Sequence, residues 1–355
     1  MHIALGYYYF PHSLGVHFES ALHALGHTFT YVGLPWPDRA GYDQSVPLPE
    51  LLDQLSPRPE LYLWLDSGGK YFPPGIEDLP IPTACYLVDV HLGSWRQQAA
   101  RFFDAVFIAQ RSQLAAYQQT LQHDQVYWLP LAAADVFRPL NLPRIYDIAF
   151  VGSMTAAHRQ TARARRLQLL AERFSTNDFR RGYTPAEASQ IYNQARLVFN
   201  VSINGDVNMR VFEGTACGAL LLNDSAANGL NELFDVEREL AVYADDADLL
   251  DKAAYYLAHD PEREQLAAAG QTRTLGQHTY QQRVTQIIEA VTAPTFRSLA
   301  SLRAASSHER LEARLEVYTH LHMLDAVADA TRAAGYHPLR RAWKLLPCLA
   351  RRILL

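Results

Sequence analysis

Short apolar runs separated by helical patterns recur along the chain. "HIALGYYY" (2–8) is followed by a loop, by the helix-like "HFESALHALG" (17–26) and by a second run, "TFTYVGL" (28–34). Gly26 stands where a helix C-cap glycine belongs. "LYLWLD" (61–66), "TACYLVD" (83–89), "AVFIA" (105–109) and "QVYWLPL" (125–131) continue the series as strands. Proline-rich pieces at 35–58 and 73–82 read as surface connections. Strands alternating with helices predict α/β units around a parallel sheet.

A second series starts near residue 145. "YDIAFVGSM" (146–154) is a strand running into a small-residue turn, and a basic helix follows, "HRQTARARRLQLLAERF" (158–174). "PAEASQIYNQA" (185–195) opens with a helix-start proline and an early glutamate and leads into the strand "RLVFNVS" (196–202). "RVFEGTACG" (210–218) reads as a helix ended by Gly218, ahead of the strands "ALLLN" (219–223) and "ELAVYAD" (239–245) and helices over 246–290. "LPLAAADVFRPLNLP" (129–143), with three prolines, reads as the interdomain linker. The expected domains are 1–140, 141–294 and a helical extension, 295–355. In that extension Leu311, Leu315, Tyr318, Leu321 and Leu324 keep helical spacing and predict one amphipathic helix over 308–333. The last twenty residues carry five basic side chains and no acidic one, which suits either a helix packed on the protein or one lying on a membrane surface.

With 355 residues, two domains of ordinary size are expected, and an apolar share of 49% is that of a globular chain. The formal charge of -5 argues against a general nucleic-acid binder. Cys85, Cys217 and Cys348 lie far apart and form no CxxC pair, so neither a zinc site nor a disulfide framework is indicated. The opening residues lack the pattern of a signal peptide, and no apolar stretch approaches membrane-spanning length. A cytoplasmic protein is the expectation.

Open α/β sheets bind ligands beyond the carboxyl ends of their strands. In the second series that edge holds "FVGSM": Gly152 permits close backbone approach, Ser153 offers a hydroxyl, and Arg159 stands just beyond. The turn is either a diphosphate seat or a plain strand–helix connection; it is neither GxGxxG nor a P-loop. "NMRVFEGTACGALLLND" (208–224) is sharper. Arg210 and Glu213 are three apart on one helix, with Asp206 and Asn208 on the loop leading in. An arginine there can clamp a phosphate, and a glutamate one turn on can accept two hydroxyls of a ribose. The alternative is an Arg210–Glu213 pair that neutralises itself. The acidic run Asp245, Asp246, Asp248 precedes a helix and reads as capping, not as a metal site. In the first half, the Asp66–Gly69 turn and the aromatic "YYYFPHSLG" (7–15) stand at strand ends, either lining an acceptor side or serving as turn and core. Glu232 faces a cleft or caps the next segment.

"YDIAFVGS", "ARLVFNVS", "NMRVFEGTACGALLLND", "NELF", "LAVYADDADLLDKAAYYL" and "HTYQQRV" stand in the order and spacing of glycosyltransferases of the GT-B fold. The sequence resembles the group-1-like, spore-maturation CgeB-type branch, which "CYLVDVHLGSW", "FDAVFIAQ" and "VYWLPLAAADVFRP" also match. The resemblance covers roughly 60–290 and is absent from the tail. It implies two Rossmann-like domains facing across a cleft, the second holding a nucleotide-diphosphate sugar and the first presenting the acceptor. It implies Glu213 at the donor ribose, Gly152 and Ser153 at the diphosphate turn, Arg210 beside the phosphates, and Asp89 or His91 facing the transferred sugar as catalytic candidates. The implied reaction is hexosyl transfer with retention, without a metal or other cofactor, to a sugar, lipid-linked glycan or protein acceptor of the bacterial cell surface. One departure stands out: the position eight before Glu213, a glutamate in related enzymes, is Gly205, with Asp206 beside it. An epimerase or hydrolase on the same plan, and a non-catalytic nucleotide-binding scaffold, are the alternatives.

Overall fold

The structure, a computed structural model, describes residues 1–152, 161–202, 205–224, 227–337 and 343–344. The chain divides into two compact units, Met1–Leu129 with Val284–Leu355, and Pro130–Arg283.

The first unit is built on a six-stranded, fully parallel sheet of order β2-β1-β3-β4-β5-β6. Its strands are β1 (His2–Gly6), β2 (Thr28–Tyr31), β3 (Leu61–Leu65), β4 (Thr83–Leu87), β5 (Ala105–Ile108) and β6 (Val126–Trp128). The helices α1 (Leu14–Ala24), α2 (Leu48–Asp53), α3 (Trp95–Ala100) and α4 (Leu114–Leu121) connect them. β1, β3, β4 and β5 are buried along their whole length, which is why they appear in the sequence as unbroken apolar runs. The order reverses between β1 and β3, the place where open sheets of this kind leave a crevice at their carboxyl edge.

The second unit has a four-stranded parallel sheet of order β10-β9-β8-β7. Its strands are β7 (Tyr146–Ala149), β8 (Ala195–Phe199), β9 (Leu220–Asn223) and β10 (Ala241–Val242). Its helices are α5 (Ala162–Arg173), α6 (Pro185–Asn193), α7 (Met209–Ala216), α8 (Leu230–Leu233), α9 (Asp246–Ala258) and α10 (Asp260–Gln277). α6 begins as the sequence predicts, with Thr184 and Glu187 closing a capping box ahead of a first-turn proline. Asp245 caps α9 by accepting from the Ala247 and Asp248 amides, the capping role expected of that acidic run.

Three sequence expectations are corrected. The proline-bearing stretch 129–143 does begin at the boundary between the two units, but from Pro130 on it is packed into the second unit rather than joining the two as a separate linker. Leu131, Ala132, Ala133, Ala134 and Phe137 are buried, Ser189 donates to the Val136 carbonyl, and the Asn193 side chain holds both the Arg138 carbonyl and the Leu140 amide. The helix expected over 308–333 is two helices, α12 (Ser307–His320) and α13 (Leu324–Ala333), parted where His322 takes a left-handed φ of 56°. Both follow α11 (Tyr280–Thr292), and they form no separate extension: Leu302, Leu315, Tyr318 and Val327 belong to one apolar cluster with Trp64, Phe72 and Phe103 of the first unit.

Asp104, fully buried after α3, anchors this returning segment. Its carboxylate accepts from Thr83 N (3.0 Å) and Oγ1 (2.9 Å), Ser298 Oγ (3.1 Å), Ala300 N (3.1 Å), and Arg303 Nε (3.2 Å) and Nη2 (2.8 Å). Burial opposes its charge, but Arg303 and these N–H donors outweigh it and hold the carboxyl below its usual range. In the second unit Arg283, 2% exposed, donates to the carbonyls of Pro130 (2.7 Å), Leu131 (3.1 Å) and Gln277 (3.2 Å) and to His278 Nδ1 (3.1 Å). His278 is thereby held neutral, its pKa lowered to about 4 by burial and by the Arg283 charge. No described helix is long and apolar enough to cross a membrane.

Candidate functional site

At the carboxyl edge of the second sheet β7, β8 and β9 end at Ala149, Phe199 and Asn223, with Gly152, Asn200 and Asp224 just beyond them, and α7 begins. Asn208 caps α7, its Oδ1 accepting from the Arg210 amide at 3.1 Å while its Nδ2 donates to Asn200 Oδ1 at 3.1 Å. Asn200 is fully buried; its Oδ1 also accepts from Arg210 Nη1 at 2.6 Å, and its Nδ2 donates to Asn223 Oδ1 at 2.6 Å. Arg210 then crosses the end of β7, donating through Nε (2.9 Å) and Nη2 (2.7 Å) to the Val151 carbonyl, with its guanidinium 4.2 Å over the Phe150 ring. Among the described residues, these bonds use its Nε, Nη1 and Nη2 groups once each.

Gly152 makes room for that crossing. A Cβ there would stand 2.4 Å from Arg210 Nη2 and 2.8 Å from the Phe150 ring. A Gly152→Ala protein is therefore expected to lose about 1–3 kcal/mol of stability through overpacking, read by denaturant melts. Its Arg210 side chain would leave Val151; unchanged stability would show that the side chain moves aside freely.

Glu213 lies one turn along α7, half-buried. Among the described residues its carboxylate has neither a hydrogen bond nor an ion pair, and it does not pair with Arg210. Desolvation pushes its pKa up to about 7, against the pull of the Arg210 charge. The self-neutralising pair is thus not what the helix presents. Among the described residues, its first two turns instead carry a guanidinium that faces no carboxylate partner and a carboxylate that accepts no hydrogen bond. The close approach of α7 to the sheet rests on Gly214, where a Cβ would stand 2.9 Å from Val198.

A second cation joins them. Arg163 of α5 is buried, 5.8 Å from the Phe150 ring, with its pKa lowered by burial and by the Arg210 charge and raised back by Asp224. Two guanidinium groups flanking one phenyl ring give this edge a strong preference for an anion. Neither Arg163 nor Asn200 was singled out from the sequence, although each left a signal. Arg163, Leu167 and Leu170 form one buried i, i+4, i+7 stripe on α5, and Asn200 is a polar residue closing an apolar strand.

Gly152, Asn208, Arg210 and Glu213 are therefore neighbours, and Asp206, half-buried, is on the loop before α7. Ser153 and Arg159 lie outside the described residues. Gly205, in the place of the missing glutamate, takes a φ of 72°, a conformation suited to glycine.

Asp89 and His91 belong to the first unit, after β4. Asp89 has a left-handed φ of 53° and starts a 3₁₀ turn, Val90–Leu92, which Gln110 pins by accepting from the Val90 amide at 3.1 Å. His91 Nδ1 is buried without a hydrogen-bond partner among the described residues. Beside this turn is the buried ion pair Asp66–Arg96 at the end of β3; burial raises the Asp66 pKa, Arg96 lowers it, and the nearby Asp89 charge raises it. Asp66 is thus a structural partner of Arg96, and Gly68 N–H bonds back to it as a turn would. The aromatic run after β1 is divided. Tyr7 is wholly buried, donating to Glu19 (2.8 Å), which Arg39 grips through two bonds of 2.6 and 2.7 Å; Tyr8 and Tyr9 are half-buried around Trp36. Glu232 is an exposed residue of α8.

Residues 138–289 match the family model described as Glycosyl transferase-like. No curated protein matches the chain by sequence. Among solved structures, a glycosyltransferase from Rickettsia africae superposes with a TM-score of 0.58 at 10% identity, over 82% of this chain and 99% of that one. Anabaena HepE in complex with UDP and glucose gives 0.57 at 11% identity, over 82% and 100%. Sucrose-phosphate synthase from Thermosynechococcus elongatus gives 0.55 at 14%, over 81% and 98%. At these identities the likeness is one of fold: two parallel-sheet α/β domains of the GT-B type, with helices at the C-terminus.

Proposed function

We propose that the protein is a glycosyltransferase that moves a sugar from a nucleoside-diphosphate sugar to an acceptor hydroxyl. One observation carries the reading: among the described residues neither Arg210 nor Glu213 has an ion-pair partner, and they stand one helical turn apart at the carboxyl edge of the second sheet. A phosphate and a ribose diol, joined as in a nucleotide, complement that pair in charge and spacing. Gly152, Ser153 and Arg159 form the diphosphate turn on this reading, with Arg163 as a further cation, and Asp206 and Asn208 shape the loop. HepE, a neighbour of the same fold, is in complex with UDP, which supports a nucleotide as a ligand of this chain.

In the reaction the bond from the anomeric carbon to the diphosphate oxygen breaks, and a bond from that carbon to the acceptor oxygen forms. The acceptor proton passes to a base, for which Asp89 and His91 are the candidates. Negative charge grows on the leaving diphosphate, where fixed guanidinium and N–H groups stabilise it without reorganising. We take the transfer to be hexosyl, retaining and metal-independent, in a branch close to the CgeB-type enzymes. The acceptor is a sugar, a lipid-linked glycan or a protein of the cell surface. The enzyme is then cytoplasmic, with its basic C-terminal end at the inner face of the membrane.

The test is thermal stability against a panel of nucleoside diphosphates and their sugars, for wild type and Glu213→Ala. A ligand at a hundred times its Kd stabilises by about 2.7 kcal/mol, so one base is expected to raise the melting temperature of the wild type and to do so far less in the variant. No shift with any nucleotide would overturn the reading. The positive φ of Gly205, where related enzymes carry a carboxylate, favours a second reading, a nucleotide-binding scaffold without turnover. A nucleotide sugar that binds yet gives no product, by transfer or hydrolysis, would select it.

A further inference from the structure

In the first unit, arginines that reach into the interior meet buried acids. Arg96 bonds Asp66, Arg303 bonds Asp104, and Arg314 holds Glu77 through two bonds of 2.6 and 2.8 Å. Arg210 of the second unit is held differently. Among the described residues its side-chain bonds end on neutral oxygens, the Val151 carbonyl twice and Asn200 Oδ1 once. Arg144 and Arg283 also donate to neutral acceptors, but these are main-chain carbonyls and, for Arg283, the His278 ring. The Asn200 acceptor is a side chain a single atom away from being an acid, because an oxygen in place of its amide nitrogen makes it aspartate.

The Asn200 amide is fixed in place and in direction. A guanidinium only donates, so the atom facing Arg210 Nη1 is the amide oxygen. That oxygen also accepts from Asn208 Nδ2, and the amide nitrogen donates to Asn223 Oδ1. The main chain of Asn200 is held as well: its N–H donates to the Leu222 carbonyl at 2.8 Å, and its carbonyl accepts from the Tyr243 hydroxyl at 2.8 Å. Asn208, one arm of this network, is the residue that caps α7 at the Arg210 amide. The backbone and the guanidinium of Arg210 are thus placed by the same set of side chains.

An aspartate at position 200 could grip Nη1 from the same place, but it would cancel the arginine's charge before any ligand arrived. Asparagine supplies the grip alone. The half-buried guanidinium keeps its positive charge for an anion, and its geometry is set in advance, so little reorganisation is needed when the anion binds.

We infer that Asn200 is a positioning residue of the donor site, aiming Arg210 at the diphosphate while leaving its charge uncompensated. The inference rests on the donor reading, and the two can fail separately. Full-length protein is titrated with inorganic pyrophosphate, with UDP, ADP, GDP, CDP and dTDP, and with the parent nucleosides, by calorimetry and ligand-observed NMR. For the diphosphate that binds wild type, Asn200→Asp is expected to raise the Kd at least about tenfold, as Arg210→Gln does, and to leave the nucleoside's Kd within about twofold. In an Arg210→Gln background Asn200→Asp should add little, because it acts through Arg210. Asn200→Ala removes the acceptor without adding a charge and should show a loss of the same kind. It carries the test if melts show that the aspartate variant does not fold. In wild type itself, nitrogen-resolved NMR should show slow rotation of the Arg210 guanidinium. A role in folding alone would lower stability and leave the ratio of diphosphate to nucleoside affinity unchanged. That result, an equal loss when Arg210 is already removed, or a freely rotating guanidinium in wild type would overturn the inference. If wild type binds no diphosphate, the donor reading falls and takes the role of Asn200 with it. If a diphosphate binds and Asn200→Asp keeps the ratio, the role of Asn200 alone falls.

Discussion

Asp104→Ala is expected to destabilise the protein by about 4 kcal/mol, the cost of breaking a buried ion pair from one side. The loss goes beyond one contact. The carboxylate satisfies two backbone amides, two hydroxyls and two nitrogens of Arg303, and alanine leaves the amides of Thr83 and Ala300 and the arginine without it. Asp104→Asn should cost less, because an amide oxygen still accepts. The pH dependence has a definite sign. The folded-state pKa lies below the usual 3.8, so the stabilisation is complete above that value and fades as pH falls through the folded pKa. Urea melts from pH 7 to pH 3 should therefore show a wide, constant gap between wild type and Asp104→Ala that narrows only below about pH 4. A gap under about 1 kcal/mol at pH 7 would mean that the C-terminal segment is held by its apolar contacts alone.

Glu213→Gln should move stability and ligand affinity in opposite directions. Desolvation keeps this carboxyl protonated up to a pH of about 7 in the folded protein, against a usual value of 4.5. Between those values the unfolded chain gives up the proton first, so wild-type stability falls as pH rises through that window. Glutamine does not titrate. The variant should gain progressively on the wild type above pH 4.5, reaching about 2 kcal/mol by pH 8 after allowance for partial exposure. In the same protein the proposed donor loses the charged acceptor for its ribose hydroxyls, and its Kd should rise by roughly tenfold or more. Wild-type affinity should itself strengthen from pH 6 to pH 8 as the carboxyl ionises, while the variant's affinity stays flat. Calorimetric titration with the nucleotide found in the stability panel reads both effects. Equal affinities would remove Glu213 from the donor site.

The strands were legible because each lies within a mostly apolar run bounded by turn signals, and all ten, two to five residues long, fall inside the runs the sequence marks to within one residue. Gly218 ends α7 with a φ of 73°, as its position promised. The C-terminal part was less readable. Spacing at 311, 315, 318, 321 and 324 fits one helix, and nothing local marks the left-handed His322 that splits it. The anchoring of this segment depends on Asp104, some two hundred residues earlier, a long-range bond that no window of sequence discloses. In the candidate site, Arg210 and Glu213 were found through their spacing. Arg163 was passed over because arginine on a helix ordinarily marks the solvent face, and its alignment with Leu167 and Leu170 had to outweigh that habit. The Asn200 network was hidden because three asparagines spread over twenty-four positions meet only once the sheet has formed.

Arg283 bonds the residues at which the chain enters the second unit to the helix by which it leaves. An inserted segment whose two ends are fastened to each other needs no surrounding frame to hold them together. Residues 130–283 therefore have the construction of a cassette: a piece that evolution, or an engineer, can lift from one host fold and splice into another through a single pair of adjacent joints. In such an exchange the edge that carries Arg163, Arg210 and Glu213 would travel with the cassette.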